Sequence, residues 1–149
     1  MGLTGDFNVI SNHLKKLRLR ISNIKPLQDA IFIYMRIELI KGYYAKGRRG
    51  GNPEWTPLKP KTVKRKEKKG YAFPEHPLIA SGAMSLGYYP VITGNILEIH
   101  NIKDYLIYHE TGNKNMPKRS STFFSMKNLE DIAKMLGIYI ETGKAGVTA

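Results

Sequence analysis

Tyr88 to Asn101 reads YYPVITGNILEIHN, two runs rich in β-branched and aromatic residues separated by Thr93, Gly94 and Asn95. A glycine and an asparagine between two such runs are the composition of a tight turn, so the stretch predicts an antiparallel hairpin. Val91, Ile96 and the residues alternating with them are expected to form its buried face. This is the best strand signal in the chain, and the segments on either side of it read mainly as helices. The fold class that follows is α+β: a small antiparallel sheet with two long N-terminal helices and a C-terminal helix, plus a long basic loop.

Upstream of the hairpin, PLIASGAMSLG (Pro77 to Gly87) suggests a short helix with Leu78, Ile79 and Met84 facing inward. Further back, Phe7, Ile10, Leu14, Leu17 and Ile21 recur at spacings of three and four, the stripe of an amphipathic helix over Asp6 to Ile21. Lys15, Lys16, Arg18 and Arg20 take its other face. Pro26 then opens a second helix, to about Tyr44, where its missing N–H costs nothing. The apolar arc of that helix is wide enough to touch neighbours on two sides.

Downstream, Lys103 to Glu110 reads as helix, TGNKNMPKR as loop, and Thr122 to Met126 as a third strand. Asn128 is expected to cap a last helix that turns Leu129, Ile132 and Leu136 to one side, with Gly137 near its end. The ending ETGKAGVTA reads as a loose tail. The chain of 149 residues therefore reads as one domain over 1–140, with an extended basic arm over 45–75 inside it and a flexible tail over 141–149.

The arm is where composition becomes unusual. The net charge is +12, and residues 41 to 69 hold eleven basic side chains against two acidic ones, most of the excess. A polyanion or an acidic protein surface should face this segment. Gly47, Gly50, Gly51 and Pro53 break helical periodicity ahead of it, and Pro60 and Thr62 begin a short helix through Lys69 with no convincing apolar face. The only tryptophan, Trp55, stands in the same stretch. A large ring in a loop is most useful buried in a pocket, and Leu58, three residues on, is expected to share that pocket. Trp-Thr-Pro-Leu thus reads as an anchor that pins the arm and leaves Lys61, Lys64, Arg65, Lys66, Lys68 and Lys69 displayed. Those cations can neutralise phosphates of passing DNA or meet acidic patches on partner proteins.

Chemistry finds less support. The chain has no cysteine, which excludes disulfides, thiolate metal sites and cysteine nucleophiles. His100, Asp104, His109 and Glu110 form the one grouping of metal-ligand or acid–base type, and without further spaced ligands a structural role is favoured for each. Asp104 suits a helix N-terminus, and His109 follows Tyr105 by one turn, so the two rings share a face. Ser81 lacks a Gly-x-Ser-x-Gly elbow, and Gly50-Gly51 leads into Asn-Pro rather than a phosphate-binding Gly-Lys-Ser. The expectation is no enzyme, no metal and no cofactor. No apolar run approaches the roughly 20 residues of a membrane span, and the N-terminus lacks the basic n-region of a signal peptide.

An ordered series of segments adds a resemblance. W-T-P-L-K-P-K-T at Trp55 to Thr62 is followed by P-L-I-A-S-G-A-M at Pro77 to Met84, the hairpin, Y-L-I-Y-H-E-T-G at Tyr105 to Gly112, and M-P-K-R with Phe123 and Phe124 soon after. In that order and spacing the chain resembles the virion morphogenesis, or tail completion, proteins of Mu-like and related tailed phages, from about Trp55 to the last helix. Departures are Leu106, where the family has a small Ala, and Ser120 and Ser121 between Arg119 and the aromatics.

The resemblance implies a structural virion protein without catalysis, made in the host cytoplasm. It would complete the tail or its junction with the head at the neck, as a homo-oligomeric ring (a hexamer as the first expectation) touching neck, connector or tail-tube proteins and non-specifically the DNA in the channel. It also implies that Trp55, Leu58, Tyr105, His109 and Arg119 are anchor or interface positions. Gly112 would be a turn needing positive φ, Pro117 would lead into a strand, and Arg119 would be free to fork onto a carboxylate. The alternative function is a free nucleic-acid-binding protein whose basic segment contacts phosphates, and a hydrolase stands third.

Overall fold

In the computed structural model, which describes residues 7–49 and 52–146, the hairpin forms by the pairing of β1 (Tyr88–Thr93) with β2 (Ile96–Asn101). The register runs from Tyr88 opposite Asn101 to Thr93 opposite Ile96, so the loop is the two residues Gly94 and Asn95. Gly94 takes the first loop position at φ 58°, which a side chain would resist.

That closing pair fixes the phase of both strands. Pro90, Ile92, Leu97 and Ile99 share the inner face with Tyr88 and Asn101, and Ile96 stands outward at 61% exposure. The expected buried face of Val91 and Ile96 is therefore the outer one, because a shift of one residue flips every side chain across the sheet.

Among the described residues the chain also forms six helices: α1 (Phe7–Ser22), α2 (Lys25–Tyr44), α3 (Pro60–Lys68), α4 (Ala83–Leu86), α5 (Leu106–Thr111) and α6 (Met126–Thr142). The α+β class holds, with helix outweighing strand. α2 does touch neighbours on two sides, since it contributes Leu27 to one buried cluster with Met135 and Tyr139. At its other end it gives Leu39 and Tyr43 to a second cluster with Trp55, Ile79, Met84 and Tyr88.

Several expectations change. The helix expected over Pro77 to Gly87 contracts to the four residues of α4, preceded by Leu78 at φ 63° and Gly82 at φ 80°, backbone states that an α-helix does not contain. No third strand forms at Thr122 to Met126. The N–H of Ser121 is taken by the Glu110 carboxylate rather than a ladder partner, and Ser125 is extended to cap α6. The cap of α6 is Ser125, not Asn128: Asn128 is the third helical residue of a capping box in which each side chain bonds the other's backbone N–H. With that start, Met135 and Tyr139 face the core while Leu129 and Leu136 are exposed.

α6 also runs two residues into the expected tail, to Thr142, and Ala145 packs on the Leu27 cluster. Asp6, Gly50, Gly51 and the last three residues of the tail lie outside the described residues. No helix among the described residues is long and apolar enough to cross a membrane.

The largest departure is α1. Ile10, Leu14 and Ile21 of its stripe are exposed, Leu14 at 59%, and Leu17 is partly covered. The helix meets the body at its C-terminal end, where Arg20 donates to the carbonyls of Ile140 and Glu141 at the end of α6. A cation there also complements the negative end of the α6 dipole.

Candidate interface: an anchored basic arm

The arm leaves α2 through Lys46 and Gly47, both at positive φ, and turns back so that the Trp55 N–H donates to the Lys46 carbonyl at 2.7 Å. Trp55 is 5% exposed. Its ring meets Tyr43 edge-on at 5.7 Å and 84°, and Tyr43 meets Tyr88 at 6.4 Å and 65°. The indole Nε1 donates to the Ser120 carbonyl at 2.9 Å. One residue away on each side, Arg119 donates through Nε and Nη2 to the Thr56 carbonyl at 3.0 and 2.9 Å.

These two segments, 63 residues apart, therefore lock each other reciprocally. Arg119 is buried by this contact and forks onto a carbonyl, where the sequence reading had it free for a carboxylate. It is positioned by its own N–H, which donates to the His109 carbonyl at 2.8 Å.

A polar chain continues inward from the lock. Glu110 accepts from Ser120 Oγ at 2.8 Å and from Ser121 N and Oγ at 2.8 and 2.7 Å. Ser121 Oγ lies 3.2 Å from the Tyr88 hydroxyl, which lies 3.0 Å from that of Tyr43. Burial is the main force raising the pKa of both phenols, and the neighbouring Tyr88 adds to the rise at Tyr43. Every group in this chain has a partner, as a polar network inside a core requires.

Leu58 does not enter the Trp55 pocket. It lines a separate depression of about 220 Å³ with Lys66, Ile79, Met84, Tyr105 and His109. Tyr105 and His109 meet edge-on at 6.4 Å and 84°, the contact their one-turn spacing suggested. His109 Nδ1 is buried with no hydrogen-bond partner. Burial lowers the His109 pKa, the Arg119 charge lowers it further, and Glu110 opposes them. Gly112 ends α5 at φ 71°, as its place in the motif implied, and a Cβ on it would lie 2.8 Å from the Lys118 backbone N. Pro117 leads into the irregular segment carrying Arg119, not into a strand.

α3 divides the basic residues. Lys61, Lys64, Arg65 and Lys68 are exposed on it, as is Lys69 at its end. Lys66 belongs to the opposite face and is a correction to the displayed set. It is 8% exposed, and its Nζ donates to the carbonyls of Phe73 at 3.0 Å, His76 at 2.7 Å and Ile79. Burial lowers its pKa. The ammonium, with three donors and no acceptor, is matched one-to-one by three carbonyls of the loop after α3. Lys66 thus fastens the arm's helix to the body and turns the other cations out.

His100 stands on the outer face of the hairpin, 3.1 Å from Glu98, and Asp104 is exposed in the turn before α5. Among the described residues, no three His, Asp or Glu side chains group as metal ligands.

No family model, curated protein or solved structure matches the chain.

What the sequence missed is mostly the support of the arm: Lys66 as a fastener, and Tyr43, Tyr88, Glu110, Ser120 and Ser121 as the network beneath Trp55. Three positions carried a usable signal. Gly47 precedes the loop that brings Trp55 back. Ser120 and Ser121 interrupt the resembled motif where the structure needs hydroxyls.

Proposed function

We propose that this protein is a non-enzymatic structural subunit of a tailed-phage virion, completing the tail or the head–tail junction as a ring around the DNA channel. The observation that carries this reading is the reciprocal lock. Arg119 of the Pro-Lys-Arg motif grips the backbone of the Trp-Thr-Pro-Leu motif at Thr56, and Trp55 in return holds the backbone of Ser120, the residue after that arginine. Motif residues committed to backbone carbonyls hold shape; they are not available to bind and transform a substrate.

Two further features support assembly. The lock and Lys66 hold α3 so that Lys61, Lys64, Arg65 and Lys68 form one exposed cationic surface, suited to acidic groups of neck or tail proteins or to DNA in the channel. The chain also exposes large apolar side chains along α1, a surface that a solitary soluble domain usually covers.

Mass measurement and negative-stain microscopy of the purified protein, alone and with tail tubes, test the reading. Closed rings are expected, and a strictly monomeric species in both samples would overturn it. The same cationic surface favours the second reading, a free nucleic-acid-binding protein. Titration with duplex DNA across a salt series separates the two, because tight binding by an isolated monomer with a steep salt slope belongs only to the second.

A further inference from the structure

We infer that the outward face of α3 binds the sugar–phosphate backbone of duplex DNA, without regard to sequence, rather than an acidic protein. In the proposed reading, on which this placement rests, that DNA is the one in the channel.

The cations of this face are aligned and unengaged. Lys61, Lys64, Arg65 and Lys68 recur at i, i+3, i+4 and i+7, one stripe of the helix, and Lys69 follows at its end. The first four border a shallow groove of about 370 Å³ with Thr62. Among the described residues none of the five is in an ion pair, although Glu67 stands three residues after Lys64. Their neighbours are engaged: Lys41 and Arg49 on Glu38, Arg48 on Glu54, and Lys66 on three carbonyls. The charge left to meet an outside partner is therefore concentrated on α3. From Lys61 to Lys68 is about 10 Å at helical rise, the axial length of about three phosphate steps along one DNA strand.

The composition of the face selects between the two partners. A protein interface is centred on a buried aromatic or aliphatic anchor and is depleted in lysine. From Lys61 to Lys69 no large apolar side chain is exposed, and Val63 is half-covered. Such a face offers charge and almost no apolar area to bury. That is the balance of a backbone contact with DNA, where release of condensed counterions drives binding. Four of the five cations are lysines, which meet phosphate as point charges, and α3 carries no Asn or Gln to read a base edge. The surface is also formed before binding, since the Lys66 ammonium fastens the helix to the carbonyls of Phe73, His76 and Ile79. Little ordering of the arm then opposes the contact.

Fluorescence anisotropy with a short labelled duplex of arbitrary sequence, across a salt series, tests the assignment on the full-length protein. Five phosphate contacts per subunit give a slope of log K against log salt of about −4.5, a loss of about 500-fold in affinity between about 50 and 200 mM. The triple variant Lys61→Gln/Lys64→Gln/Lys68→Gln changes exposed positions, so the domain folds, and its slope is expected to shrink by about 2.7 per subunit in contact. Lys15→Gln/Lys16→Gln/Arg18→Gln removes the same charge from the exposed side of α1 and is expected to leave the slope unchanged.

Equal losses in the two variants would assign the binding to net charge and overturn the inference. So would a wild-type protein that fails to bind DNA at low salt, or an α3 variant that binds like wild type. An α3 variant that leaves tail tubes while keeping the wild-type DNA slope would assign the face to an acidic protein, and also overturns it. Mass measurement on the same samples separates the two readings. Rings whose DNA binding survives the α3 substitutions overturn this inference alone, whereas a monomer whose DNA binding is lost with them keeps the α3 contact and overturns the ring.

Discussion

Gly47 lies against the indole of Trp55 so closely that a Cβ on it would fall 2.3 Å from Nε1, and its φ of 84° is one that L side chains rarely adopt. The glycine is what lets the chain leave α2 and return the tryptophan to the core. Gly47→Ala is therefore expected to cost at least about 2 kcal/mol, from backbone strain and displacement of the ring. Trp55→Ala should cost about 4 kcal/mol, as large buried aromatics do. Because the two share one space, Gly47→Ala should cost less in the Trp55→Ala background. Urea unfolding of the double-mutant cycle measures that coupling.

Lys66 and Lys64 are two residues apart on one helix and should behave oppositely. Lys66→Met removes a charged donor from three carbonyls and should cost on the order of 2 kcal/mol or more. It should also open the loop from Gly70 to Gly82 to limited proteolysis. Lys64→Met, at an exposed position, should stay within about 0.5 kcal/mol of wild type and leave the digestion pattern unchanged.

Alkali should unfold the domain through its buried phenols. Burial raises the pKa of Tyr43 and Tyr88, so both stay protonated in the folded state while the unfolded chain releases their protons near pH 10. The folded state then binds more protons, and stability falls as pH climbs past 10. Lys66 acts the other way, since its lowered pKa makes stability rise with pH up to the ordinary lysine value of 10.5. Two phenols outweigh one ammonium above that value. Urea midpoints at pH 9 and pH 11 should show the drop, and Tyr43→Phe should reduce it.

Acid should act through His109. Its pKa is lowered by burial and by Arg119, so the unfolded chain takes up a proton at this site before the folded one does. Stability associated with neutral His109 is present above the ordinary pKa of 6.5 and is lost as pH falls from there toward the folded value. His109→Leu should flatten stability between pH 7 and pH 5. An unchanged slope in the variant would place the acid sensitivity elsewhere.

The α6 capping box offers a local check. Ser125→Ala removes the side-chain acceptor for the Asn128 N–H and should cost about 1 kcal/mol. Far-ultraviolet circular dichroism through a thermal melt would follow it.

The sequence by itself determined the parts whose causes are local. Two β-rich runs around a glycine specify a hairpin, and apolar spacing and a leading proline specify α1 and α2. Tryptophan among lysines specified a buried anchor for the same reason, since exposing that ring gains nothing. Tertiary structure decided whatever depends on which partner arrives. A two-residue turn set the hairpin phase and put Ile96 outward, and the expected third strand lost Ser125 and Met126 to the cap and first turn of α6. Lys66 went inward because three carbonyls 7 to 13 residues further along the chain converge on its ammonium. The stripe of α1 stayed in water because the body meets that helix only at its end. Periodicity records that a face is apolar; only the packed chain shows whether anything of its own covers it.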